Sequence, residues 1–501
     1  MATPSKKNFL ETTRKGRIPP LYEEIPYAPP RLAYEPFASK NSFLLESVKG
    51  PEKIARYSFI GADPCLTFKT RNGAIETEPV WKSGLFGKRP LRALKNLLCS
   101  YVQEPFAHLT PFQGGLVGIL GYDFVHYLEC LPQNATDDLH LPDSHFLMID
   151  KLIAFDHMAG KCWVIVCPGV RDSLGLGTLP RTADWPQKYD EAEWDIARIK
   201  ETVNSGKLRA TSEKAGLIFP DQGSSANVDI VYEMKKKTYM DIVKRTKEYI
   251  AAGDIFQANL SQRLSAPVRE KSPWNLYRIL SDINPSPFAA FLDFGDYQIV
   301  SSSPERLLRI KEGIIETRPI AGTRPRGKDG REDELMRREL LLNEKERAEH
   351  IMLIDLERND LGRVSEYGSV RVDELMITED YSHVIHIVSN VTGELAYGKD
   401  CFDAIKAAFP GGTITGVPKV RCMEIIDELE PVKRGPYTGS IGYIGFSGNM
   451  DLNIVIRSFV ISNGRVYVQA GAGIVADSDP EKEYFESLKK AEALIKTLEK
   501  I

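Results

Sequence analysis

Short apolar runs bounded by Gly and Pro recur along both halves of this chain. Amphipathic helical stretches are mixed among them, without the regular strand–helix alternation that a parallel barrel needs. That irregular mixture is what most constrains the fold. It predicts an α+β protein, with two layers of sheet covered by helices. Tyr57–Ile60, Gly115–Gly121 and Trp163–Val166 read as strands, and Leu91–Tyr101 as a helix. At 501 residues the chain is too long for one ordinary core. A polar stretch from Pro168 to Lys188 and a charged helical segment, Tyr189–Asn204, lead to FPDQGSSAN at Phe219–Asn227, the best linker candidate. Residues 1–227 and 228–501 are therefore expected as two regions.

Beyond the linker the periodicity sharpens. Thr238–Ala252 places Met240, Val243, Thr246 and Ile250 at helical spacing. Ile255–Leu264 alternates, with Phe256, Ala258, Leu260 and Leu264 on one face and Gln257, Asn259, Ser261 and Arg263 on the other. Asp333–Leu361 reads as one long helix, broken near Asp360. Asp479 caps the last helix with Pro480 at its first position, and Phe485, Leu488, Ile495 and Leu498 form its expected buried stripe.

Composition excludes several classes of function. A formal charge of -4 gives no broad electrostatic grip on nucleic acid or anionic lipid. No apolar run reaches membrane-spanning length, and the polar N-terminus MATPSKKNFLETTRKGRIPP is not a signal peptide. Seven scattered cysteines without a CxxC pair read as reduced thiols, so the cytoplasm is the expected compartment. Gly471–Ala476 fits a GxGxxA string, but a polar ADSDP turn follows where a dinucleotide site needs a helix to open.

Two carboxylate pairs stand out. Glu346 and Glu349 lie three apart on one helix, and Glu483 and Glu486 repeat that spacing on the last. Spacing alone fits a solvated face; it also fits two facing helices that supply oxygen ligands to a hard cation such as Mg2+. The surrounding motifs discriminate. RPIAGTRPRG (Arg318–Gly327), NEKERAEHIMLIDLERNDLGRV (Asn343–Val364), FPGGTITGVPKVR (Phe409–Arg421), RGPYTGSIGYIGF (Arg434–Phe446) and QAGAGIVADSDPEKEYFESLKK (Gln469–Lys490) resemble, in order, the motifs of the chorismate-utilising enzymes. That family includes anthranilate, aminodeoxychorismate, isochorismate and salicylate synthases, and the resemblance covers roughly Val228 to Ile501.

The resemblance implies a magnesium ion between the ring carboxylate of chorismate and Glu349 and Glu486, with Glu346 and Glu483 beside them. The Gly411–Gly416 turn, with Gly412 and Thr413, would hold the same carboxylate through its amides. Arg457 and Tyr437 match positions that hold the enolpyruvyl carboxylate, a task suited to a guanidinium fork. Gly471, Gly473 and Lys490 match further substrate contacts. Glu305, in SSSPER, matches a general acid for the departing C4 hydroxyl; read without the family, it would be an ion pair with Arg306 or Arg309. His386, in HVIHIVS, matches a histidine that assists loss of pyruvate; read alone, it would be a satisfied core residue.

Two positions predict which reaction is run. Gln257 stands where water-using members carry a lysine base, which favours ammonia as nucleophile. Ala321 stands where aminodeoxychorismate synthases usually carry a nucleophilic lysine, which favours direct addition at C2 and anthranilate as product. The resemblance also makes residues 1–227 a regulatory region, carried by NSFLLESVKGPEKIARYSFIG (Asn41–Gly61) and GGLVGILGYDFVHYLECLP (Gly114–Pro132). Leu45, Glu46, Ser47 and the turn Asn284, Pro285, Ser286, Pro287 would bind tryptophan as inhibitor. The usual Tyr-Met after that turn is replaced by Phe288-Ala289, as in aminodeoxychorismate synthases. The expected ammonia source is a separate glutamine amidotransferase subunit, because no Cys-His-Glu set of that kind is evident here. The rival readings are aminodeoxychorismate synthesis and a non-catalytic amino-acid sensor.

Overall fold

The computed structural model describes residues 2–51, 53–81, 89–175, 184–213, 229–268, 273–381 and 384–500. The proposed linker Phe219–Asn227 lies outside the described residues. Mixed helices and two large antiparallel sheets make up the chain, as an α+β reading requires. The first sheet has twelve strands and the second eleven.

Each sheet is built from both ends of the sequence. In the first, Ser42–Glu46 pairs with Phe288–Asp293, so that Glu46 lies opposite Ala289. In the second, Gly115–Leu120 pairs with Ser440–Gly445. The sheets pack face to face. Between them lies a core that takes Phe43, Phe59, Leu292 and Ile299 from one sheet and Val117, Leu147, Ile441 and Tyr443 from the other. Alternation explains this: every second side chain of each strand points to the shared face. The outer face of the first sheet is covered by helices that bring Phe9, Tyr34, Tyr189, Tyr277 and Leu494. The outer face of the second is covered through Leu94, Ile354, Ile405 and Phe409.

The chain crosses between the sheets at two places that matter below. Tyr297–Ser303 belongs to the first sheet and Arg306–Lys311 to the second, so Glu305 sits in a crossing. Met450–Asn453 and Ser458–Ser462 form a second crossing, which holds Arg457. The two crossings touch: the Ile454 amide donates to the Glu305 carbonyl at 3.0 Å.

Several elements differ from their sequence reading. The long helix breaks at Asn343, not near Asp360, giving Gly330–Leu342 and Glu344–Gly362. Asn343 is extended, and its side chain accepts the Glu346 amide at 3.0 Å, so it caps the second helix. The strand read from Ile255 runs Gln257–Pro267 and is buried on both faces. Phe256, expected inside, precedes it and is exposed. Its polar face is covered because those side chains find partners: Ser261 donates to Glu430 at 2.9 Å and Arg263 to Glu233 at 2.5 Å. The final helix is two, Pro480–Lys490 and Glu492–Glu499, and Phe485 is 54% exposed while its neighbour Tyr484 is buried. The Asp479 cap holds, accepting the Glu481 and Lys482 amides at 3.1 and 2.9 Å.

Candidate active site

Glu305 is held by its position in the crossing: its amide donates to Ser303 Oγ at 3.3 Å, and its carbonyl accepts from the Ile454 amide. The side chain is only 6% exposed, and its Oε1 has no hydrogen-bond partner. The arginines beside it are engaged elsewhere. Arg306 pairs with Glu316 at 2.8 Å and Asp451 at 2.9 Å, and Arg309 with Glu316 at 2.7 Å. Burial raises the Glu305 pKa to about 7, against the lowering influence of Thr413, the Ile320 backbone, Arg457 and Lys490. Those influences also locate it, because all four groups surround one carboxyl.

Arg457 is the converse case. It is partly buried, with φ of 51°, and no carboxylate among the described residues forms an ion pair with it. Its Nη1 donates a long 3.4 Å bond to Asn284 Oδ1. Burial lowers its pKa, with Glu305 and Tyr381 acting the other way. A guanidinium partly withdrawn from water without a carboxylate partner is a costly arrangement that an anionic ligand relieves.

His386 faces the same space from the strand Val384–Glu394. Its Nδ1 lies 2.9 Å from Thr323 Oγ1 and 3.4 Å from the Gly322 carbonyl, and its Nε2 has no partner. The carbonyl contact favours a proton on Nδ1 and leaves Nε2 as the acceptor. Burial first, then Arg457, depresses its pKa to about 3, so the imidazole is neutral. The core reading accounts for one of its two nitrogens.

The Gly411–Gly416 segment forms a short 3-10 turn, Gly412–Ile414, closed by a 2.8 Å bond from Thr415 Oγ1 to the Gly411 carbonyl. Thr413 Oγ1 is buried without a partner. The turn is locked to the sheet through Gly416, whose φ is 135° and where a Cβ would lie 2.1 Å from the Gln257 carbonyl oxygen. Only glycine fits there. Tyr437 is buried near Arg434, whose guanidinium lies 5.6 Å from its ring centroid.

Gln257 connects this region to the carboxylate pairs. Its Nε2 donates to Glu349 Oε1 at 2.9 Å, while its Oε1 is buried without a partner. Gly473 lies beneath it on the paired strand; a Cβ there would come 2.5 Å from Gln257 Nε2. Gly471 lies two residues earlier, opposite Ser261. Glu346 accepts from Arg324 at 3.2 Å, Glu483 from Ser478 at 2.7 Å, and Glu486 pairs with Lys490 at 3.1 Å.

Among the described residues, no three His, Cys, Asp or Glu side chains converge as a preassembled metal centre. The donor chemistry nevertheless fits magnesium. All four candidates are carboxylates, the donor type a hard cation takes. Burial and then the charge of Glu486 raise the Glu483 pKa, and Lys345, from the helix that carries Glu346 and Glu349, pulls it down. The two helices therefore sense each other's charge, and a cation between them would relieve the repulsion.

The residues expected at an inhibitor site also come together. Ser47 Oγ donates to the Pro287 carbonyl at 3.0 Å, and the Val48 amide to the Ser286 carbonyl at 3.0 Å. Leu45 lies opposite Ala290. The Glu46 carboxylate is occupied from within the chain, by Arg31 Nε at 3.0 Å and Tyr277 OH at 2.5 Å.

Three residues at this site escaped the sequence reading. Thr323 orients His386. Tyr381 stands edge-on to His386 at 5.1 Å and donates to Glu379 at 3.2 Å. Neither carries a spacing signal. Glu357 does, for it interrupts the buried stripe Leu353, Ile354, Leu361 with a charge.

Sheets packed face to face, with a buried acid and an unpaired cation at their crossings, make a site suited to a small anion. A sequence model of the chorismate binding enzyme family matches residues 40–496, and the chain belongs to that family. Within it, the chain is 44% identical over 461 residues to anthranilate synthase component 1 of Acetivibrio thermocellus, covering 91% of this chain and 90% of that protein. It is equally 44% identical, over 464 residues, to aminodeoxychorismate synthase component 1 of Bacillus subtilis, covering 92% of each. Among solved structures, anthranilate synthase component I from Streptococcus pneumoniae superposes with a TM-score of 0.72 at 35% identity, covering 87% of this chain and 92% of that one. The menaquinone-specific isochorismate synthase MenF of Escherichia coli shares the fold, with a TM-score of 0.66 at 16% identity over 98% of this chain and 99% of that one.

Proposed function

We propose that this chain is the synthase component of an anthranilate synthase, aminating chorismate at C2 with ammonia and then eliminating pyruvate. The observation that carries this reading is Gln257 on Glu349. An amide at that place cannot deprotonate water, whereas ammonia brings its own lone pair. Ala321, paired with Ile387 and buried beside the Gly322–Thr323 segment, offers no amine for a covalent adduct, which supports direct attack at C2.

The residues divide the work as follows. Arg457, with Tyr437 near it, binds the enolpyruvyl carboxylate, and the Gly411–Gly416 turn receives the ring carboxylate. Ammonia forms the C2–N bond as the C4–O bond breaks, and Glu305 gives its proton to the departing hydroxyl, which leaves as water. A pKa near 7 keeps a useful fraction of Glu305 protonated at neutral pH. Loss of pyruvate then requires the C2 proton to leave, and the neutral His386 Nε2 is an acceptor for it. Magnesium, held by Glu349 and Glu486 with Glu346 and Glu483 nearby, would neutralise the ring carboxylate and withdraw electron density from the ring. Ammonia would come from a separate glutamine amidotransferase. For tryptophan to act as inhibitor it would have to compete with Arg31 for Glu46.

Aminodeoxychorismate synthesis is the second reading, favoured by the equal identity to the Bacillus subtilis protein and by Phe288-Ala289. Product identity separates the two. Purified chain with chorismate, magnesium and ammonium is expected to give anthranilate and pyruvate, detected by mass and lost on adding EDTA. Aminodeoxychorismate without pyruvate would establish the second reading in its place.

A further inference from the structure

The helix that carries Glu349 holds, about two turns further on, a carboxyl that the chemistry above does not use. Glu357 is 4% exposed. Its Oε1 lies 3.6 Å from where a Cβ of Gly412 would stand, so it backs onto the turn that carries Thr413. The Thr317 hydroxyl, on the strand Ile314–Arg318, is near enough to favour its ionised form.

The charged groups around it come from three elements. Asp360 lies on its own helix, Lys419 on the helix Lys419–Leu429, and Glu305 in the sheet crossing. Lys419 is not free to neutralise it, because its ammonium is bound to the Asp360 carboxylate and to the Ala408 carbonyl at 3.0 Å. Arg363 acts on Asp360 as well. A buried carboxyl whose nearest cation is committed to another carboxylate is most stable when neutral. Burial and then Asp360 raise its pKa to about 8; Glu305 pushes the same way, and Lys419 and Thr317 oppose them.

We propose that Glu357 is a positioning residue that must carry its proton for the Gly411–Gly416 turn to receive the ring carboxylate of the substrate. Ionised, it sets a negative charge directly behind the turn and opposes the incoming anion. This rests on the reading that the turn faces that carboxylate. As pH rises, substrate affinity falls while the supply of neutral ammonia grows, so the residue shapes the alkaline side of the working range.

Binding tests this apart from turnover. Chorismate is titrated calorimetrically into the full chain with magnesium and without ammonium, from about pH 6.5 to about pH 9, bracketing the Glu357 ionisation. The unaltered chain is expected to lose affinity roughly tenfold across that range. Glu357→Gln is expected to match the unaltered chain at the acidic end and to lose the part of the alkaline fall centred near pH 8, keeping only what Glu305 contributes near pH 7. Thr317→Val removes a hydroxyl that favours the anion, so the loss should move to higher pH; this variant keeps the test in force if Glu357→Gln does not fold. An undiminished alkaline loss in folded Glu357→Gln, or an unmoved one in Thr317→Val, overturns the proposal. Absence of chorismate binding by the unaltered chain at every pH would overturn the functional reading, and this inference with it.

Discussion

Glu305 and Arg457 are unusual for the same reason: each is a charge-bearing group drawn into the protein without the partner that would normally stabilise it. In Glu305 this has a consequence for stability with a definite sign. Its folded pKa of about 7 exceeds its unfolded value near 4.5, so the unfolded chain ionises first. Stability is therefore unaffected below the unfolded pKa, falls as pH rises between the two values, and stays lowered above the folded one. Glu305→Gln removes that penalty. The variant is expected to be more stable than the unaltered chain by on the order of 3 kcal/mol near pH 8, and no more stable near pH 4.5, by urea denaturation. The same substitution should lower turnover by at least about a hundredfold while chorismate binding changes little. Equal stability of the two proteins at both pH values would mean that Glu305 is not the strained acid described here.

At the scale of elements, the site depends on close approach between the turn, the strand Gln257–Pro267 and the strand Arg465–Ile474. Two glycines make contrasting tests. At Gly416 an added methyl meets backbone 2.1 Å away at a φ of 135°, and neither can yield. Gly416→Ala is expected to cost about 3 kcal/mol or more, or to prevent folding. At Gly473 the same methyl meets the movable end of Gln257, 2.5 Å away. Gly473→Ala should displace that amide from Glu349, lowering activity at least about tenfold with under about 1.5 kcal/mol of lost stability. A Gly473→Ala protein with full activity would show that the Gln257–Glu349 contact is dispensable. The elements misread from sequence failed for local reasons. Asn343 resembles any helix residue until its side chain is seen to cap the next helix, and Phe485 has the right spacing for burial but falls on the outer face of a helix that ends at Lys490.

For the whole molecule, the decisive feature is that both sheets draw strands from before and after residue 227. Ser42–Glu46 and Gly115–Leu120 each hydrogen-bond to strands more than two hundred residues away. A chain cut down to residues 229–501 would expose an open edge in each sheet and half of the core between them. The full chain is thus expected to unfold in one calorimetric transition, with residues 229–501 alone lacking a cooperative one. Two separate transitions in the full chain would contradict shared sheets. No disulfide links any of the seven cysteines, so none contributes to that cooperativity.

Much of this was readable in the chain itself. The mixture of strand and helix patterns implied α+β, because periodicity reports which face of an element is buried. The ordered motifs implied the family, because glycines at tight turns and carboxylates three apart on helices are local requirements that leave local traces. The tertiary structure alone decided the rest. It showed that Glu305 and Arg457 lie at adjoining crossings between the sheets, that Glu46 is already held by Arg31 and Tyr277, and that Gln257 touches Glu349. It also turned Glu357 from a charge on an apolar stripe into a carboxyl behind the Gly411–Gly416 turn. The physical reason is common to all four. Ionisation and partnership depend on desolvation and on charges brought near from distant parts of the chain, and neither is specified by local spacing.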